Sequence, residues 1–252
     1  MKEHKSVFLA WQAPDTRTWY VVGLLTEYKD RYTFNYTKGA LKSKKFISFS
    51  GMTDLKKTYI STNLFPLFKN RLLSEKRPEY PNFIEWLGLN KEDLSPVTVL
   101  GRSGGLRGTD KLQMFSKVDI NEDGSFEHIF FAHGLGYLTE SAKTRVSQLT
   151  NNEKLLFCLD SQNSYDENAV IIRAEKPAEI VGYCPSYLAK DFSSLLKRDK
   201  NSINISVNLL SDSAPDHYKL MCKVVGKIDC GLAKVFMNRD EFKLISNTYN
   251  NS

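Results

Sequence analysis

Asn163-Ser164-Tyr165-Asp166-Glu167-Asn168-Ala169-Val170 is the stretch whose reading decides the second half of this 252-residue chain. Asn, Ser and Asp side chains bond to backbone amides close by in sequence, so they favour turns. The run 169–172 that follows is apolar and β-branched, the pattern of a buried strand. Upstream, Leu155-Leu156-Phe157-Cys158-Leu159 reads as the strand that enters the turn, and 180–183 as a third strand after it. Val181-Gly182-Tyr183-Cys184-Pro185 then closes that strand, with Gly182 and Pro185 as backbone punctuation. Beyond Pro185, Leu188, Phe192, Leu195 and Leu196 recur on one helical face. Working outward, 126–131, Ile203–Leu210 and 218–228 have the composition of further strands.

This order of strand, N-x-Y-D-x-N-A turn, strand, G-Y-x-P and helix resembles the HIRAN domain, a small β-barrel that binds DNA ends. The resemblance implies that Asn163, Tyr165 and Asp166 line a pocket for the last nucleotides of a single strand. The aspartate there accepts a hydrogen bond from a free 3′-hydroxyl, and an aromatic ring stacks on a base. A ring offers a stacking face that tolerates any base, while a carboxylate rewards a hydroxyl and repels a phosphate. The family's second element, a glycine followed by Arg and paired aromatics, aligns with Gly134-Leu135-Gly136-Tyr137-Leu138-Thr139. Tyr137 is kept, whereas Gly136 stands in place of the arginine and Leu138 in place of the second aromatic. Lys143 or Arg145, on the helix that follows, would then supply the missing charge. From the residues alone, Asn163 and Asp166 read equally as plain turn formers, with Tyr165 packed on the barrel.

The first part has its own pattern. Segments 7–11, 19–25 and Tyr32–Tyr36 read as strands, the last two joined by a polar turn at 27–31. Helices are expected near 64–73 with Pro66 in the first turn, from Pro81 to a stop at Gly88, and from Ser95-Pro96 to a stop at Gly101. Segments 112–118 and 126–131 read as strands around Asn121-Glu122-Asp123-Gly124, whose Asp-Gly pair favours a tight turn. Val22-Gly23-Leu24-Leu25, Tyr32–Tyr36, the 64–72 stretch and Gly101-Arg102-Ser103-Gly104-Gly105-Leu106-Arg107-Gly108 together resemble the N-terminal subdomain of HipA-like kinases. No kinase body follows. The resemblance implies regulation and contacts, not catalysis. The expected architecture is α+β: a mixed sheet and short-helix domain at 1–117, then a HIRAN-like β-barrel with helices at 118–252.

Charge is uneven. Between Lys38 and Arg77 stand ten Lys or Arg against two acids, Asp54 and Glu75, in a chain of net charge +6. Such a block tracks phosphates, meets an acidic protein face, or is simply solvated. Lys44 and Lys45 in it, with Arg102 and Arg107 in the glycine-rich run, are candidate phosphate or partner contacts. That run does not fit a P-loop, and a glycine-rich helix stop is its ordinary reading. Asp119-Ile120-Asn121-Glu122-Asp123-Gly124 begins like a calcium loop, but Phe130 stands where the bidentate Glu belongs, so it reads as a turn.

Cys158, Cys184, Cys222 and Cys230 lack C-x-x-C pairing, and His4, His128, His133 and His217 lack ligand spacing. No kinase catalytic loop or magnesium triplet is present. No window is apolar enough for a membrane span, and no signal-peptide core precedes Val7. The expectation is a cytoplasmic, non-enzymatic protein without cofactor or metal. In one reading it captures single-stranded DNA with a free 3′ end, in a bacterial phage-defence or toxin–antitoxin setting. In the alternative it is an interaction module that docks on a separately encoded HipA-like kinase or its repressor. Segment 247–252 is expected to be a frayed polar tail.

Overall fold

The protein is described from a computed structural model at residues 4–228 and 239–246; Cys230 and the expected tail at 247–252 lie outside the described residues. The chain divides into two compact units, Met1–Lys117 with Met237–Ser252, and Val118–Phe236. Each is built on an antiparallel sheet.

In the first unit, strands β1 (Lys5–Gln12), β2 (Trp19–Glu27) and β3 (Tyr32–Tyr36) precede the short β4 (Tyr59–Ser61). Helices α1 (Pro66–Lys69), α2 (Tyr80–Trp86) and α3 (Pro96–Ser103) lead to β5 (Leu112–Ser116). The sheet order is β4-β3-β2-β1-β5. Its apolar face holds Leu9, Val22, Leu25, Phe34 and Tyr36, and Phe68 and Leu100 from the helices join them in one core.

Two helix expectations are corrected. The first helix stops at Lys69, where the chain turns through Asn70. The third runs past Gly101 to a stop at Gly104, at φ 76, whose amide reaches back to Leu100 O at 2.9 Å. A left-handed residue there closes the last turn without the strain a side chain would bring. Gly101 instead lies inside the helix, where a Cβ would meet Val7 Cγ1 at 2.6 Å. The aromatic rings of this unit mostly serve the interior: Phe68 is buried, and Trp11, Tyr20 and Phe65 pack against the core. The exposed large apolar side chains of this unit are aliphatic: Leu41, Ile47, Ile60 and Leu106.

Segment 239–246, assigned by sequence to the second domain, packs on the first unit. Thr37 bridges Leu244 antiparallel, Ile245 N donates to Tyr36 O at 2.9 Å, and Lys38 N donates to Lys243 O at 2.8 Å. Phe242 is buried edge-on against Phe8, ring centroids 4.9 Å apart. Because β4 pairs with β3 at Tyr32 to Phe34, this segment continues the same sheet edge beyond it. Two pieces far apart in sequence thus make one composite edge strand, which satisfies backbone groups that β4 is too short to reach.

The second unit contains β6 (Ser125–Phe131), α4 (Glu140–Ser147), β7 (Lys154–Leu159), β8 (Val170–Ala174) and β9 (Glu179–Tyr183). Helix α5 (Ser186–Arg198), β10 (Ile203–Leu210), α6 (Asp216–Lys219) and β11 (Leu220–Lys227) follow. Tyr218 and Lys219 are therefore in a helix where the sequence suggested that a strand had begun. The sheet order is β6-β11-β10-β7-β8-β9. The expected barrel is corrected to an open six-stranded sheet. Its two edges meet at one bridge, His133 with Tyr183, whose reciprocal amide bonds are 2.9 and 2.8 Å. Gly182 permits that approach, since a Cβ there would stand 3.1 Å from His133 O. Helix α5 buries Leu188, Phe192 and Leu195 as its apolar face predicts, with Phe192 5.3 Å from Phe157 on β7. The Asn121–Gly124 segment is a turn, with Gly124 at φ 82 and its amide on Asn121 O.

Candidate nucleic-acid interface

The turn between β7 and β8 is organised by its own side chains. Asn163 Oδ1 accepts from the amides of Tyr165 and Asp166, both at 3.0 Å, while its Nδ2 donates to Asp160 Oδ2 at 3.0 Å. Asp166 Oδ1 accepts from Asn168 N at 2.9 Å; its Oδ2 carries no hydrogen bond among the described residues. Backbone bonds from Ala169 N to Asp166 O and from Asp160 N to Ala169 O close the loop. The turn-forming reading of Asn163 and Asp166 is the one these bonds show, and they fix the backbone that carries Tyr165. That ring is 86% exposed.

Tyr137 lies on the 3-10 turn Leu135–Tyr137 and is 97% exposed. Tyr183 connects this turn to the Asn163 turn. Its backbone pairs with His133, a Cβ on Gly134 would lie 3.4 Å from its Cδ2, and its hydroxyl donates to Asp160 Oδ2 at 3.3 Å. Burial, and then the Asp160 carboxylate, hold the Tyr183 hydroxyl above its ordinary pKa, so it stays a donor. Asp160 and Tyr183 are thus the positioning pair that the sequence did not single out. An aspartate directly after a strand was a readable turn signal for Asp160, whereas the reach of the Tyr183 hydroxyl had none.

The 3-10 turn rests on α6, which also packs on β6. A Cβ on Gly136 would stand 3.2 Å from Asp216 Oδ2, so a carboxylate borders the position where the resemblance calls for an arginine. Beneath it, burial, assisted by His217, pushes the His133 imidazole down to about 4. Burial likewise lowers His217, against the pull of Asp216.

The two proposed cations of α4 part company. Lys143 is exposed and pairs with Glu140 at 2.8 Å, which raises its pKa, with a further contribution from Asp216. Arg145 is buried, its guanidinium bound to Glu153 and, at 3.2 Å, to Lys176 O. Arg145 is therefore a strut of the fold and is corrected as a DNA contact. In the first unit, Arg107, Lys44 and Lys45 are exposed, whereas Arg102 is half-buried and its pKa is lowered by burial.

Among the described residues no cluster of His, Cys, Asp or Glu could hold a metal ion, and no helix is long and apolar enough to cross a membrane. Cys158, Cys184 and Cys222 are free thiols. Burial raises the pKa of Cys184 and Cys222, which keeps them protonated and inert.

Residues 125–229, all in the second unit, match the family model of the HIRAN domain. The solved HIRAN domain of human HLTF is similar at 21% identity and a TM-score of 0.36, covering 48% of this chain and 92% of that one. A structure of a protein from Lactobacillus plantarum is similar at 20% identity and a TM-score of 0.32, covering 41% and 99%. No curated protein matches this chain.

Proposed function

We propose that the second unit captures the 3′ end of single-stranded DNA, and that the chain acts by binding, without catalysis. The observation that carries this reading is the pair of outward rings, Tyr165 and Tyr137, at 86% and 97% exposure on two turns joined through Tyr183. An isolated exposed ring is unremarkable on a protein surface, but a ring held out by three side-chain hydrogen bonds of one asparagine is pre-organised to stack. Asp166 Oδ2 takes the terminal hydroxyl, for which a phosphate in its place would be repelled. The match of residues 125–229 to the HIRAN family supports the same class of ligand.

Fluorescence anisotropy with one labelled oligonucleotide, ending in a 3′-hydroxyl or a 3′-phosphate, tests the reading. The hydroxyl end binds more tightly, and Tyr165→Ala weakens that binding by about 1–3 kcal/mol. Equal affinities for the two ends would refute end capture.

A further inference from the structure

We infer that the segment between Lys42 and Tyr59 of the first unit is a rigid phosphate-tracking face for nucleic acid, carried by Lys44, Lys45, Lys56 and Lys57. The inference rests on the nucleic-acid reading above and extends it to the first unit, outside residues 125–229.

The segment has little regular structure, yet it is pinned at several points. Phe46 packs edge-on against Trp11 at 5.3 Å, and Phe49 stacks on Tyr36 at 5.8 Å. The Tyr36 hydroxyl donates to Met52 O at 2.6 Å and accepts from Phe49 N at 2.8 Å. Burial pushes that hydroxyl up to about 12, so it remains protonated and keeps both bonds. At the far end, the Tyr59 hydroxyl accepts from Asp54 N at 2.7 Å and donates to Asp54 O at 3.0 Å. With Phe46 and Phe49 turned inward, Lys44, Lys45 and Ile47 are left exposed, as are Lys56 and Lys57.

The charges of this face divide into two groups. Lys38 and Lys42 are already neutralised by the chain itself, at 3.0 Å from Asp240 and 2.6 Å from Glu241. Lys44, Lys45, Lys56 and Lys57 form no ion pair among the described residues. The one acid within the segment, Asp54, spends Oδ1 on the amide of Lys56 at 2.8 Å. Lys57 holds its ammonium 5.7 Å over the Tyr59 ring, which orients it without neutralising it. A pinned backbone loses little further entropy when its lysines meet an anion, which leaves only the side-chain rotamers to be ordered. Ser48, Ser50 and Thr53 lie among them, and hydroxyls of this kind donate to phosphate oxygens. A linear polyanion with evenly spaced charges therefore fits better than an acidic protein face.

The test uses the whole chain and a variant carrying Lys44→Gln, Lys45→Gln, Lys56→Gln and Lys57→Gln, with matched melting temperatures confirming the fold. Anisotropy with a labelled 30-nucleotide oligodeoxythymidine is measured across a salt series, with 3′-hydroxyl and 3′-phosphate ends. The slope of log K against log salt falls by about 3 in the variant if all four lysines meet phosphates, and affinity at 0.1 M salt drops at least about tenfold. The hydroxyl-to-phosphate preference stays as in the wild type, because the Asn163 turn is untouched. An unchanged slope overturns the proposal and leaves the face to solvent or to an acidic protein. Loss of the end preference in the wild type, with the slope difference intact, would refute end capture and leave this face standing.

Discussion

Replacing Asn163 by Asp tests whether the turn is built as described, because it changes one atom's chemistry and almost no volume. The Asn163 amide nitrogen lies 3.0 Å from Asp160 Oδ2, so the variant puts two carboxylates there. Two unit charges at that separation repel by about 1.4 kcal/mol in bulk water, and by about twice that where the surroundings halve the dielectric constant. Loss of the donated hydrogen bond adds about 1 kcal/mol. The acceptor oxygen that holds the amides of Tyr165 and Asp166 is retained, so the backbone bonds persist. The expected cost is about 2–4 kcal/mol near neutral pH, read as a fall in the urea midpoint. A close carboxylate pair binds one proton more readily than an isolated carboxylate, so the difference between wild type and variant shrinks on acidification from pH 7 to 5. Comparing the two proteins at each pH cancels every titration they share. A variant as stable as the wild type at neutral pH, or a difference independent of pH, would show that Asn163 and Asp160 do not meet.

Two further outcomes follow from buried charge. The folded-state pKa of His133 is depressed to about 4 from 6.5, so the unfolded chain binds the extra proton and stability is lost as pH falls through that window. That loss amounts to about 2–3 kcal/mol, and His133→Gln flattens the urea midpoint between pH 6.5 and 4; an unchanged profile would refute the burial argument. Arg145→Ala leaves the half-buried Glu153 without its guanidinium partner and costs about 1–3 kcal/mol in the same assay, whereas Lys143→Ala leaves the midpoint unmoved. Equal effects of the two would mean that Arg145 is not a strut.

The strands of both units were legible because their signals are local: alternation, β-branched runs and the turn residues between them. What escaped depends on partners distant in sequence. β4 is three residues long, and nothing in Tyr59-Ile60-Ser61 marks it before β3 is in place beside it. The barrel expectation failed because closure is decided by whole-edge pairing, and here a single residue pair joins the edges. Arg145 looked like a surface cation because a basic residue on a short polar helix ordinarily is one; only Glu153 and the carbonyl of Lys176 show otherwise. Asn163 and Asp166 were readable as turn formers because a turn writes its chemistry in adjacent residues. Asp160 and Tyr183, which tie that turn to the Tyr137 loop, belong to the long-range class and were not.

The composite edge of the first sheet inverts the order in which the two units can be finished. Segment 239–246 leaves the ribosome about 120 residues after Lys117, a delay on the order of 6–25 s at ordinary elongation rates. Throughout that interval Tyr36 O and Lys38 N have no strand partner, and Phe8 has no Phe242 against it. Every described β-strand of the second unit, by contrast, has emerged by Lys227. The unit that is started first is therefore completed after the described strands of the second, and an open strand edge is carried until segment 239–246 emerges, the condition under which nascent chains recruit one another.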